Sequence, residues 1–154
     1  HWQHIYGYGK TVGSLKAVPS TATFEKTDEA PGVTYRIYAE TAGKYEMELF
    51  TAPNNPVVYQ GKMRVAYKVN NAETAVLNTI PDEGFVPWLS CSWERGVLDQ
   101  IHRAACTVEL QEGENEVTIF AMDPAVVLEK IVFTKEGCEK KKSYLGPVES
   151  YRVE

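Results

Sequence analysis

Trp88 and Trp93 lie close together in a long polar stretch, NTIPDEGFVPWLSCSWERG (78–96), with Phe85 before them and Asp82, Glu83 and Glu94 around them. A second long stretch, TAPNNPVVYQG (51–61), adds Tyr59, Asn54 and Asn55. An indole or phenol face stacks on the apolar C–H face of a sugar ring, while nearby amides and carboxylates bind its hydroxyls. Trp88, Trp93, Tyr59, Asn54, Asn55 and Glu94 are therefore the candidate carbohydrate-binding residues. Two other assignments compete for the aromatics. Trp88 or Trp93 could plug the end of the fold under its own loop. With Phe85 they could instead anchor an interface, where Trp and Tyr are also enriched.

Catalytic chemistry has thinner support. Asp82-Glu83 and Glu94 are the only acids on an aromatic-rich stretch, and glycoside hydrolysis needs a pair of carboxylates, but spacing alone does not select one. An independent esterase or lyase would have to use these same acids. His1, His4 and His102 are scattered; no nucleophile elbow, HExxH or EF-hand pattern occurs. The expected set of catalytic residues is empty. Cys91, Cys106 and Cys138 show no CxxC spacing, so they predict free thiols and no zinc site. Asp123, next to Pro124, reads as a turn-former that folds its carboxylate onto following amides. No cofactor is expected.

These residues need a scaffold, and the chain's pattern supplies one. It has 154 residues, a 44% apolar share and a net charge of −5, as expected of one soluble domain without the basic face of a nucleic-acid binder. No apolar run approaches the roughly 20 residues of a membrane helix. The basic run Lys140–Lys142 reads as a solvated linker. The chain opens on HWQHIYGYGK without a Met or a signal peptide, which predicts processing or excision from something longer.

The apolar period is two nearly everywhere. KYEMELF sets Tyr45, Met47 and Leu49 against Lys44, Glu46 and Glu48; TYRIYAE, KMRVAYKV and CTVEL alternate likewise. Each predicts a half-buried antiparallel strand, and VVLEKIVF (126–133), apolar on both faces, predicts a central one. Ala42-Gly43 predicts a hairpin, Asn70-Asn71 ends a strand, and Glu112–Asn115 links CTVEL to EVTIFAM. No long stretch has the 3.6 period of a helix. The fold class is all-β, a two-sheet antiparallel β-sandwich.

MDPAVVLEKIVF followed by SYLGPVES resembles the C-terminal β-sandwich domain of glycoside hydrolase family 115, the xylan α-glucuronidases, whose last strand looks like DPGVVLxKIV and is followed by SYLGPPES. Ala125 stands where the family usually has Gly, and Val148 where it often has Pro. HWQHIYGYGKTVGSLKAVP and YRIYAETAGKYEMELFTAP carry the likeness further; 78–96 does not. The resemblance implies a jelly-roll, galactose-binding-like sandwich at the end of a larger, bacterial, secreted or cell-surface enzyme whose catalytic residues lie in other domains. It implies a single accessory domain over 1–154, with an N-terminal segment (1–24), a sandwich core (33–134) and a docked C-terminal tail (139–154). Carbohydrate-binding module families 6 and 35 often place a sugar-binding Asn before an IDxI-like motif. Aligned on Leu128–Ile131, that place falls to Val127. Their calcium ion is typically held by acids near the N-terminus, and HWQHIYGYGK has none. A structural calcium ion is therefore without support in the residues.

The expected function is a non-catalytic carbohydrate-binding module that targets an attached glycoside hydrolase to plant cell-wall polysaccharide, xylan or hemicellulose. The alternative is a structural or dimerisation domain without sugar binding. Expected partners are the polysaccharide, the parent's catalytic domain and a second copy in a homodimer. SYLGPVES is expected to pack beside Trp2–Gly9, with Tyr144 and Leu145 burying apolar area.

Overall fold

A computed structural model of the chain describes residues 1–58, 62–80, 91–140 and 143–150. Strands β1 (Trp2–Tyr6), β2 (Gly13–Ala17), β4 (Gly43–Thr51), β7 (His102–Leu110) and β9 (Val127–Lys135) form a five-stranded antiparallel sheet in the order β1-β2-β9-β4-β7. Strands β3 (Gly32–Ala39), β5 (Arg64–Val69), β6 (Ala75–Asn78) and β8 (Gly113–Ala121) form a four-stranded one in the order β3-β8-β5-β6. This is the expected two-sheet sandwich, with β9 central as its two-faced apolarity predicts.

Period-two alternation decides which side chains meet between the sheets. Met47 and Leu49 of β4, Val65 and Val69 of β5, Val108 and Leu110 of β7, Val117 and Ile119 of β8 and Leu128 of β9 make one buried cluster. Each such side chain stabilises the fold by about 1.5–3 kcal/mol on full burial. Cys106, at the same parity, is a half-buried free thiol, and Cys138 is free and exposed; the Cys91 side chain lies outside the described residues.

Several local expectations are corrected. Ala42-Gly43 does not close a hairpin, because β3 and β4 belong to different sheets. The turn crosses the sandwich, and Gly43 supplies the φ of 140° that a side chain disfavours there. Glu112–Asn115 crosses in the same way, from β7 to β8. Buried Asn115 holds that corner: its amide donates to the Gln111 and Gly113 carbonyls (2.9 and 3.0 Å), and its oxygen accepts from Gln111 N–H and Asn70 Nδ2 (3.0 and 2.9 Å).

The stretch 78–96 is not all loop, for Cys91–Asp99 forms a helix, α1. Nine residues give barely two turns, too few for a visible 3.6 period. The outward face of β4 is not a solvated face either. Glu48 is buried, and Lys140, expected in a free linker, pairs with Glu46 and, at 3.3 Å, with Glu48.

The SYLGP segment also docks elsewhere than expected. It crosses the outer face of the five-stranded sheet over β4 and β9, not beside the segment Trp2–Gly9. Lys130 Nζ donates to the Leu145 and Pro147 carbonyls (3.3 and 2.6 Å), Lys10 Nζ to the Tyr144 carbonyl (2.7 Å), and Tyr144 OH to Gln100 Oε1 (3.1 Å). Tyr144 and Leu145 stay 57% and 56% exposed. The apolar contact is made by Gly146, where a Cβ would stand 3.3 Å from the ring of buried Phe50.

Candidate functional site

Strands β4, β6 and β8 end, and β3, β5, β7 and β9 begin, at one end of the sandwich. Antiparallel pairing therefore gathers the segments 52–58, 122–126 and α1 at that end. The sequence places Trp93 and Asn54 far apart, and the fold brings them together: Trp93 Nε1 donates to the Asn54 carbonyl at 3.4 Å. Asn54 in turn donates its side-chain amide to the Ala125 carbonyl at 2.6 Å, so it ties the 52–58 loop to the turn before β9. Asn55 and Glu94 are exposed and Trp93 is half-buried. Tyr59, Trp88, Phe85, Asp82 and Glu83 lie outside the described residues.

His102, at the start of β7, supports this arrangement from below. It is 4% exposed, and its ring meets Trp93 edge-on with centroids 6.2 Å apart. Its Nε2 lies 3.3 Å from the Trp93 carbonyl, which can only accept, so Nε2 carries the proton. Among the described residues Nδ1 has no hydrogen-bond partner. Burial pushes the imidazole's pKa down and so favours the neutral ring, an effect that the bond to the Trp93 carbonyl partly offsets. Gly96 lets α1 come this close, since a Cβ there would fall 1.9 Å from His102 Cδ2. His102 belongs to no sequence motif; its signal is parity with Cys106, Val108 and Leu110, which points it inward.

Asp123 is not the turn-former the sequence suggested. Its buried carboxylate accepts from Arg64 N, Nε and Nη2 at 2.7, 3.0 and 2.9 Å, and Glu25 completes the guanidinium's partners at 3.1 Å. The hydrogen bonds to Asp123, then Glu25, push the Arg64 pKa up. The pair fastens the 122–126 turn to β5. Ala125 then adopts a φ of 66°, the left-handed conformation suited to glycine.

Among the described residues no group of three or more His, Cys, Asp or Glu side chains could hold a metal ion. No described helix is long and apolar enough to cross a membrane. What the end of the sandwich offers is an indole beside exposed amide and carboxylate groups, a set suited to a polar ring with an apolar face.

The Glycosyl hydrolase family 115 C-terminal domain matches residues 1–149. No curated protein sequence matches the chain. Among solved structures, a family 115 4-O-methyl-α-glucuronidase with specificity for decorated arabinogalactans is similar (TM-score 0.66, 17% identity, 88% of this chain and 16% of that one). A family 35 carbohydrate-binding module from Clostridium thermocellum follows (TM-score 0.58, 14% identity, 86% of both chains). So does an exo-β-1,3-galactanase from Phanerochaete chrysosporium (TM-score 0.57, 14% identity, 86% of this chain and 26% of that one). At these identities the structures share the fold. This chain spans about one sixth of the glucuronidase, the 16% covered. With its match running from the first strand through SYLGPVE, the chain belongs to glycoside hydrolase family 115 as a C-terminal domain.

Proposed function

We propose that the domain is a non-catalytic carbohydrate-binding module that holds an attached glycoside hydrolase on plant cell-wall polysaccharide, xylan or another hemicellulose, outside the cell. The observation that carries this reading is the meeting of Trp93 and Asn54 at one end of the sandwich, beside exposed Asn55 and Glu94. The shared fold with a family 35 carbohydrate-binding module supports it. Trp88 and Tyr59 remain part of the proposed platform.

Affinity electrophoresis tests it, using gels that contain glucuronoxylan, arabinoxylan, xyloglucan, β-glucan or pectin. Retardation in one gel is expected, and Trp93→Ala should abolish it while the protein stays monomeric. Exposed Asn55→Ala and Glu94→Gln should weaken it without touching the fold. Free migration in every gel would overturn the reading.

A second reading, a structural or dimerisation domain, is favoured by Leu98, 81% exposed on α1. A dimer on a sizing column that Leu98→Ser dissociates, without any response to glycan, would support it.

A further inference from the structure

The outer face of the five-stranded sheet gathers three cations around two aromatic rings, Tyr144 and Phe50, and the segment that joins them. Lys10 Nζ sits 3.4 Å from the centroid of the Tyr144 ring. Lys130 Nζ lies under the next residues of the same segment, bonded to the Leu145 and Pro147 carbonyls. Arg103 stacks on Phe50 at 4.9 Å, and a Cβ on Gly146 would touch that Phe50 ring and lie 4.0 Å from Lys130 Nζ. None of the three cations forms a salt bridge among the described residues; the ion pairs there belong to Arg64 and Lys140.

In a chain of net charge −5 this is a positive spot that nearby carboxylates offset without forming a salt bridge. Two carboxylates act on Lys10. Asp99 is exposed at the end of α1, and Glu129, 7% exposed, accepts from the Lys10 backbone N–H at 3.2 Å. Burial, then the neighbouring Arg103, nonetheless keeps the Lys10 pKa down. The Tyr144 ring is pinned by Lys10 on one side and by its hydroxyl on Gln100, yet remains 57% exposed. A fixed, exposed phenol face loses little entropy on stacking, and cations beside it select for negative charge.

We propose that Tyr144, Arg103, Lys10 and Lys130 form a second glycan contact, selective for carboxylate-bearing polysaccharide. Tyr144 stacks on a sugar ring while the cations receive the carboxylate of a uronic-acid branch. The proposal rests on the carbohydrate-binding reading above but uses a different face of the sandwich.

The test runs the protein through gels of glucuronoxylan and of the same polymer with its carboxyl groups reduced to alcohols, each referred to a polymer-free gel. Retardation should be several-fold stronger in the carboxylated polymer and should weaken with added salt. Arg103→Gln and Tyr144→Ala should each remove most of that difference at unchanged melting temperature. Lys68→Gln on the other sheet, which removes one charge at a distance, should leave it intact. Equal retardation by both polymers, sensitive to Trp93→Ala, overturns the second contact and leaves the proposed function standing. Retardation by the carboxylated polymer alone, lost in Arg103→Gln but not in Trp93→Ala, supports the second contact and removes the Trp93 platform. No retardation in either gel overturns both. A change of oligomeric state in Tyr144→Ala with no glycan response overturns the contact in favour of a protein interface.

Discussion

Glu129 and Lys130 are neighbours in β9, where alternation should send them to opposite faces, yet both serve the same outer face of the sheet. The register explains it: Phe50 pairs with Lys130 but Thr51 pairs with Leu128, leaving Glu129 as the extra residue of a β-bulge. Each then holds one crossing segment. Glu129 accepts from Lys10 N–H in the β1–β2 connection, and Lys130 donates to the SYLGP carbonyls.

Glu129 makes stability depend on pH in one direction. Burial raises its pKa, partly offset by the Lys10 N–H, so the folded state holds the proton more tightly than the unfolded chain. That contribution is fully present below the ordinary carboxylate value and is lost as pH rises through the raised one. Glu129→Gln keeps an acceptor for Lys10 and should flatten this decline. Melting temperatures of both proteins from pH 4 to 8 check it; parallel curves would refute the assignment.

His102 tilts stability the opposite way. Its lowered pKa means that the unfolded chain binds the proton more readily. Its contribution is complete above about 6.5, the ordinary histidine value, and is lost as pH falls through the folded one. His102→Gln, which can still donate to the Trp93 carbonyl, should flatten the acid limb of the melting curve. Gly96→Ala should cost more than about 2 kcal/mol at neutral pH, as an overpacked contact does. Denaturant titration followed by tryptophan emission reads both.

The docked segment depends on a glycine more than on its bulky residues. Leu145→Asp changes an exposed side chain and should move stability by no more than about 0.5 kcal/mol. Gly146 holds a φ of 75° against Phe50. Gly146→Ala should cost about 1–2 kcal/mol, the usual left-handed penalty. Urea unfolding of the two variants side by side decides, and a larger loss in Leu145→Asp would reverse the assignment.

Ala125 occupies a left-handed position at φ 66°. Ala125→Gly relieves that strain, gives up some entropy in the unfolded chain, and should stabilise the domain by about 0.5–1 kcal/mol. A lowered melting temperature would show that the alanine's packing against the core outweighs the strain.

Period-two alternation by itself determined β3, β4, β5 and β7 and their inward faces, because every second residue of a pleated strand must point to the core, whereas the short strands β1, β2 and β6 showed no such pattern. It determined the centrality of β9 too, because a strand apolar on both faces has to be covered on both. What only the tertiary structure decided are the relationships that join distant segments. Ala42-Gly43 has hairpin composition, but which sheet each flanking strand joins depends on partners far along the chain. Asp123 has the local chemistry of a turn-former, and Arg64, brought beside it by β5, is the stronger partner. Helix α1 is too short to declare a period, and its seat on β7 depends on Gly96 clearing His102. Trp93 was legible as a candidate from its type alone. Its contact with Asn54 was not, because nothing in the sequence between them says that the 52–58 loop and helix α1 end on the same side of a sandwich.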